Sequence, residues 1–237
     1  MDSKVKTLWL IPARSGSKGI PNKNLKPFCG ESLVSRAVRQ AMACADKEDT
    51  IFVSTDSDII RAEATKHNIS IPFLRPEELA SDTATTYSVI LHVIEEFGKL
   101  GKNFDRVVLL QPTSPFRNLE DIKGALGLWQ SDIDMVVSVT ESKSNPYYNL
   151  FETDSKGFLF HSKGEGNYTR RQDVPKVWEY NGAVYVITTD SLLRCPLSKF
   201  QKVVPFVMPA SHSIDLDTPE DWEIAESRAR TLISRDA

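Results

Sequence analysis

The chain has 237 residues, 41% of them hydrophobic and 26% charged, enough for one α/β domain with a substantial core. Its 29 basic and 32 acidic side chains leave a net charge of −3, so no basic field draws it to nucleic acid, and any phosphate site must come from a local cluster. No apolar run reaches the roughly 18 residues that a membrane span needs, and Cys29, Cys44 and Cys195 lack the spacing of a metal site or a disulfide frame.

Residues 6–12 (KTLWLIP) are a short apolar run ending in a loop rich in Pro, Gly, Ser and Lys, which predicts a buried first strand. Over residues 32–45, Leu33, Val34, Ala37, Val38, Ala41 and Met42 fall at helical spacing behind Ser32, an expected cap. A second strand is predicted over 50–54, a helix opened by Ser57 and running to about residue 67, and a short strand over 70–74. An amphipathic helix follows over 86–100, then a strand over 105–110, a turn-rich QPTSPFRN, a helix over 119–130 and a strand over 135–140. This alternation predicts an α/β fold built of right-handed βαβ units, with a mostly parallel, doubly wound sheet. Ligands bind such sheets at the carboxyl ends of the strands, so the loops at 12–24, 54–57, 75–86 and 111–117 define the candidate site. Residues 141–176 differ in character, with many Ser, Asn, Gly, Lys and Arg and the aromatics Tyr147, Tyr148, Phe151, Phe158, Phe160 and Tyr168. They read as an inserted hairpin or arm within one domain spanning 1–237. A strand over 182–188 and a helix over 219–233 complete the chain.

The loop after the first strand carries Arg14, Lys18 and Lys23 among glycines, serines and asparagines. Glycines let backbone approach a ligand, exposed N–H groups form a concave anion site, and cationic side chains add charge-assisted bonds to phosphate oxygens. The spacing is neither that of a P-loop nor that of the dinucleotide fingerprint, and a plain basic surface turn is the alternative reading. Gln111, just past an apolar strand, can donate and accept at once, which suits sugar hydroxyls or an acylamino group. Asp215-Leu-Asp217 puts two carboxylates on one side of an extended segment, a donor set suited to Mg²⁺. Taken alone the pair also reads as surface charge, or as a cap in which Asp217 or Thr218 opens the last helix, with Asp221 a first-turn acid. His67, His92, His161 and His212 share no ligand spacing, and no nucleophile elbow is present.

Five blocks in order carry a resemblance through nearly the whole chain: IPARSGSKGIPNKN (11–24), LRPEELASDTATT (74–86), LLQPTSPFR (109–117), NGAVYV (181–186) and SIDLDTPEDW (213–222). They resemble the acylneuraminate cytidylyltransferases, the CMP-sialic acid or CMP-nonulosonate synthetases. The resemblance implies a nucleotide-diphospho-sugar transferase-like fold and transfer of CMP from CTP to the 2-hydroxyl of a nonulosonic acid. It implies Arg14, Ser17, Lys23 and Asn24 on the triphosphate or ribose with Lys18 close by, and Arg75, Ala84 and Thr86 on the cytidine. Arg14, Lys23 and Asp217 would carry catalysis, and Asp215 and Asp217 would hold one or two Mg²⁺, with Mn²⁺ able to substitute. Gln111, Arg171, Tyr180 and Asn181 would meet the sugar. Tyr148 stands where N-acetylneuraminate enzymes carry a lysine, which points to a deoxygenated, legionaminate-like acceptor. The family arm implies a homodimer, and the free cysteines and the absence of a secretory pattern imply a cytoplasmic enzyme without membrane or nucleic-acid partners. A CMP-Kdo synthetase, another sugar nucleotidyltransferase and an Asp-x-Asp glycosyltransferase remain as alternatives.

Overall fold

The computed structural model describes residues 4–233. Its core is a six-stranded sheet built on β1 (Thr7–Pro12). A small hairpin, β2 (Pro27–Phe28) with β3 (Glu31–Ser32), leads into α1 (Leu33–Cys44), whose first turn is capped by the Ser32 hydroxyl accepting from the Ser35 amide. Then come β4 (Thr50–Ser54), α2 (Asp58–Thr65) capped by Ser57, α3 (Thr86–Lys99) capped by Thr85, β5 (Arg106–Leu110) and α4 (Leu119–Leu128). The second half holds β6 (Met135–Glu141), a hairpin of β7 (Phe151–Thr153) and β8 (Leu159–His161), β9 (Trp178–Thr188), α5 (Thr189–Arg194), β10 (Val203–Val207) and α6 (Pro219–Ile233).

The strand order is β10-β6-β9-β5-β1-β4, with every pairing parallel except those of β9. Chain path explains the exception. β6 ends at the carboxyl edge, the arm of residues 142–177 loops out there, and the chain re-enters from the same edge, so β9 must run antiparallel. The central strands are buried on successive side chains, Leu8 to Ile11 and Val107 to Leu110 alike, as a sheet covered on both faces requires. α1 packs beside α2 and α4, and α3 beside α5. Gly124 of α4 lies so close to Phe206 of β10 that a Cβ there would come within 2.5 Å of the ring.

The strand expected over 70–74 is absent. Residues 68–76 run as irregular chain beside β4, because Pro72 and Pro76 lack the N–H groups that a ladder needs; the Arg75 N–H bonds to Thr55 O, just past β4, at 2.7 Å. β10 and α5 were not foreseen. A second, smaller core joins Ile20, Phe28, Leu33, Leu216, Trp222, Ala225 and Ala229, with Phe28 edge-on to both Trp222 and Phe116. It fastens the first loop and the 215–217 segment to α6. Among the described residues, no helix is long and apolar enough to cross a membrane.

Candidate active site

A cleft of about 410 Å³ opens at the carboxyl ends of β1 and β5. Its walls include Arg14, Ser17, Lys18, Lys23, Asn24, Arg75, Ala84, Thr86, Gln111 and Asp217. Four cations therefore face one cavity in a chain whose net charge is negative.

The first loop is held from below. The Asn24 amide donates to Arg14 O at 2.9 Å, and the Ser15 amide and hydroxyl both donate to Asp56. Burial pushes the Asp56 carboxyl up, but the two Ser15 bonds outweigh it and keep Asp56 below the usual carboxylate range. Asn22 adopts φ +53°, the left-handed turn that brings Lys23 inward. Lys23 Nζ then reaches across the cleft to Leu216 O at 2.6 Å and Asp217 Oδ1 at 3.1 Å. Arg75 is buried, with Nε on Ser54 Oγ at 3.0 Å and Nη2 on Ser54 O at 2.7 Å, and burial pushes its guanidinium down to about 10. Arg14 donates to Ala80 O and to Asp82 Oδ1, while Lys18 holds Asp82 Oδ2 at 2.7 Å. Asp82 thus bridges two of the four cations, and those bonds, Lys18 first and then Arg14, hold its carboxyl below the usual range.

On the opposite wall, Leu216 is fully buried between the carboxylates of Asp215 and Asp217, and its amide donates to Thr113 O at 3.0 Å. Asp217 is exposed, and Gly19 packs on its backbone: a Cβ at Gly19 would lie 2.0 Å from Asp217 O. Asp215 is half-buried and its Oδ1 has no hydrogen-bond partner. Burial pushes Asp215 up, a bond from Thr113 opposes this, and the charge of Asp217 adds to the rise. A buried carboxylate oxygen without a partner is costly, and a cation would relieve it. Among the described residues, no group of three or more His, Cys, Asp and Glu gathers, so the chain offers two carboxylates and would leave the remaining positions to phosphate and water, the pattern typical of Mg²⁺. Thr218 and Asp221 form the cap of α6, with Asp221 Oδ2 accepting from the amides of Asp217 and Thr218.

Gln111 and Thr86 also line a second cavity of about 580 Å³, walled by Tyr180, Tyr185, Met135, Leu197 and Phe200. Only Tyr180 of the remaining expected sugar residues faces it. Asn181 is buried, its amide committed to Ser138 and Ser213, and so it ties β9 to β6 and to the 208–214 segment. Tyr148 and Arg171 sit on the arm and line neither cavity; Arg171 Nη2 donates to Lys143 O. Asp82, the Gly19 contact and the 196–200 wall escaped sequence reading. Gly19 lay inside a recognised motif, whereas 196–200 has neither periodicity nor a motif.

Residues 8–203 match the model of a family described as cytidylyltransferase. The chain is 32% identical over 223 residues to a CMP-N,N'-diacetyllegionaminic acid synthase of Legionella pneumophila, covering 94% of this chain and 95% of that protein. It is 34% identical over 222 residues to an N-acylneuraminate cytidylyltransferase of Streptococcus agalactiae, covering 92% of this chain but 52% of that protein, so it spans about half of that relative. A solved CMP:2-keto-3-deoxy-manno-octonic acid synthetase, complexed with CTP, superposes with a TM-score of 0.68 at 17% identity, over 98% of this chain and all of that one, which shows the shared fold.

Proposed function

The chain belongs to the cytidylyltransferase family, and from that premise we propose that it transfers CMP from CTP to the anomeric 2-hydroxyl of a sialic-acid-like nonulosonic acid, releasing pyrophosphate. One observation carries the reading: a cleft lined by Arg14, Lys18, Lys23 and Arg75 shares the wall residues Gln111 and Thr86 with a second and largely apolar cavity. The first suits a triphosphate and its base; the second suits an acylated, deoxygenated sugar. Names of relatives that act on diacetyllegionaminic and acylneuraminic acids support the same acceptor class.

In this reading the hydroxyl oxygen attacks the α-phosphorus in line, and the bond to the bridging oxygen of pyrophosphate breaks. Arg14 and Lys23 neutralise charge building on the leaving group, and their contribution grows as that charge develops. Gln111 orients the acceptor at the junction of the cavities, and Asp217, which accepts from Lys23 Nζ, takes the hydroxyl proton. Asp215 and Asp217 fit one or two Mg²⁺, which when bound would supply Lewis-acid polarisation of the phosphate oxygens. The exposed apolar hairpin at Phe158, Leu159 and Phe160 supports a homodimer, and three free cysteines support a reducing, cytoplasmic setting.

The test is pyrophosphate release from CTP and Mg²⁺ with legionaminate derivatives, N-acetylneuraminate and Kdo offered separately. Release with a nonulosonate is expected, fastest with a legionaminate. Release with Kdo alone moves the chain to the neighbouring octulosonate branch. No release with any acceptor, despite CTP binding, overturns the activity.

A further inference from the structure

Arg117 lies outside both cavities, yet it holds the corner where they meet. It is 2% exposed, and its guanidinium makes four hydrogen bonds. Nε and Nη2 donate to Gln40 Oε1 of α1 at 3.1 and 2.7 Å, and the Gln40 amide donates back to Arg117 O. Nη1 donates to two main-chain carbonyls, Gln111 O and Ala183 O, each at 2.8 Å. No carboxylate among the described residues accepts from it; Asp121 contributes only through space, and burial pushes the guanidinium down to about 9.

A buried cation without an ion pair is expensive. What it holds explains its place. The antiparallel ladder of β5 and β9 ends at the pair Leu110 and Val184. Gln111 and Ala183 are the next residues outward, where β5 ends while β9 runs on to Trp178 and shifts register against β6 between Val137 and Val139. Arg117 ties their two carbonyls together there with one nitrogen. Gly182 follows at φ +71°, and its Cα face touches both sides of the chemistry: a Cβ there would stand 3.3 Å from Gln111 Oε1 and 3.7 Å from Asp215 Oδ2. Gln111 and Asp215 therefore converge on a glycine whose neighbour Arg117 clamps.

We propose that Arg117 is a positioning residue for the acceptor: its guanidinium fixes the Gln111–Gly182–Asp215 corner, and thereby the sugar, while leaving CTP binding to the first loop. The proposal rests on the activity proposed above. A lysine keeps the charge but loses the fork that reaches Gln40 and the two carbonyls together. Gln40→Leu removes the second anchor and leaves the site untouched.

The experiment compares wild type, Arg117→Lys and Gln40→Leu. CTP affinity is measured by calorimetry, and acceptor KM and kcat are measured at saturating CTP. Arg117→Lys is expected to bind CTP within about 3-fold of wild type while kcat/KM for the nonulosonate falls about 30-fold, the scale of a small misplacement of a reacting group. Gln40→Leu is expected to show the same split at about 5-fold, and it carries the test alone if Arg117→Lys does not fold. A purely structural role would lower CTP affinity and acceptor efficiency together, and that result, or an acceptor kcat/KM within 2-fold of wild type, overturns the proposal. A wild type that turns over no acceptor overturns the activity, and the positioning role with it, before any variant is made.

Discussion

Gly19 and Asp82 show how closely the first loop is fitted to its surroundings. At Gly19 the neighbour is the backbone oxygen of Asp217, 2.0 Å from where a Cβ would stand, so no side-chain rotation relieves a methyl group. Gly19→Ala must part the loop from the 215–217 segment and draw Lys23 away from Asp217. The expected result in a steady-state pyrophosphate assay is a kcat lower by about 10- to 100-fold, with CTP affinity changed far less. Wild-type kcat would mean that the segment yields without consequence. Asp82 works in the other direction. It occupies Arg14 and Lys18, two cations that would face a triphosphate bound in the cleft. Asp82→Asn is expected to tighten CTP binding about 2- to 5-fold at low ionic strength, with the gain shrinking as salt is added, since exposed ion pairs are weak and screened. Looser binding would make Asp82 part of the nucleotide pocket and not a competitor. The cations of this loop were legible because charge and glycine content are local properties. Asp82 was not, because its role depends on residues 80–86 folding back over a loop more than sixty positions earlier.

Among the elements, the end of the sheet far from the cleft is tied by one carboxylate. Asp134, just before β6, accepts from Ser191 Oγ and Arg194 Nη2 at 2.6 Å and from the amides of Gln201 and Lys202. It thus joins α5 and the lead into β10 to the start of β6. The Ser191 bond first, then the Lys202 amide, hold Asp134 down at about 2. Its folded value lies below the ordinary carboxylate value of about 4, so the stability it contributes is present above about pH 4 and is lost as pH falls through about 2. Asp134→Ala is expected to lower stability to urea at pH 7 by about 2–3 kcal/mol, with the gap to wild type closing between about pH 4 and 2. Unchanged stability at pH 7 would show that water replaces the carboxylate at no cost. The same region marks where element prediction failed. Short α5 and the edge strand β10, interrupted by Pro205, leave little periodic signal, whereas β1, β5 and α3 were legible from long apolar runs or clear amphipathic spacing. The direction of β9 could not be read locally, because it follows from where the arm leaves and rejoins the sheet.

For the whole molecule, the arm poses the main geometric question. Asp154 shapes its hairpin turn by accepting from the amides of Lys156 and Phe158, with Gly157 at φ +86°. The result presents Phe158 and Leu159 at 68% and 71% exposure, an arrangement that a second copy would cover. Arg171 and Tyr148 ride on this arm and line neither cavity of their own chain. The resemblance that puts Arg171 near the acceptor and the position of Arg171 on the arm agree if each arm reaches the site of the partner. That arrangement predicts complementation. Arg171→Ala and Asp217→Asn enzymes should each be nearly inactive alone. When the two are dissociated, mixed in equal amounts and reassembled, half of the dimers are mixed, and each mixed dimer carries one site with both groups intact. Recovery of about a quarter of wild-type activity is therefore expected. If Arg171 served its own chain, every site in the mixed dimer would keep one defect and no activity would return. Replacing Leu159 with glutamate should abolish both the dimer, read by sedimentation, and the complementation, because the carboxylate would be buried without a partner in the interface that the recovered site requires.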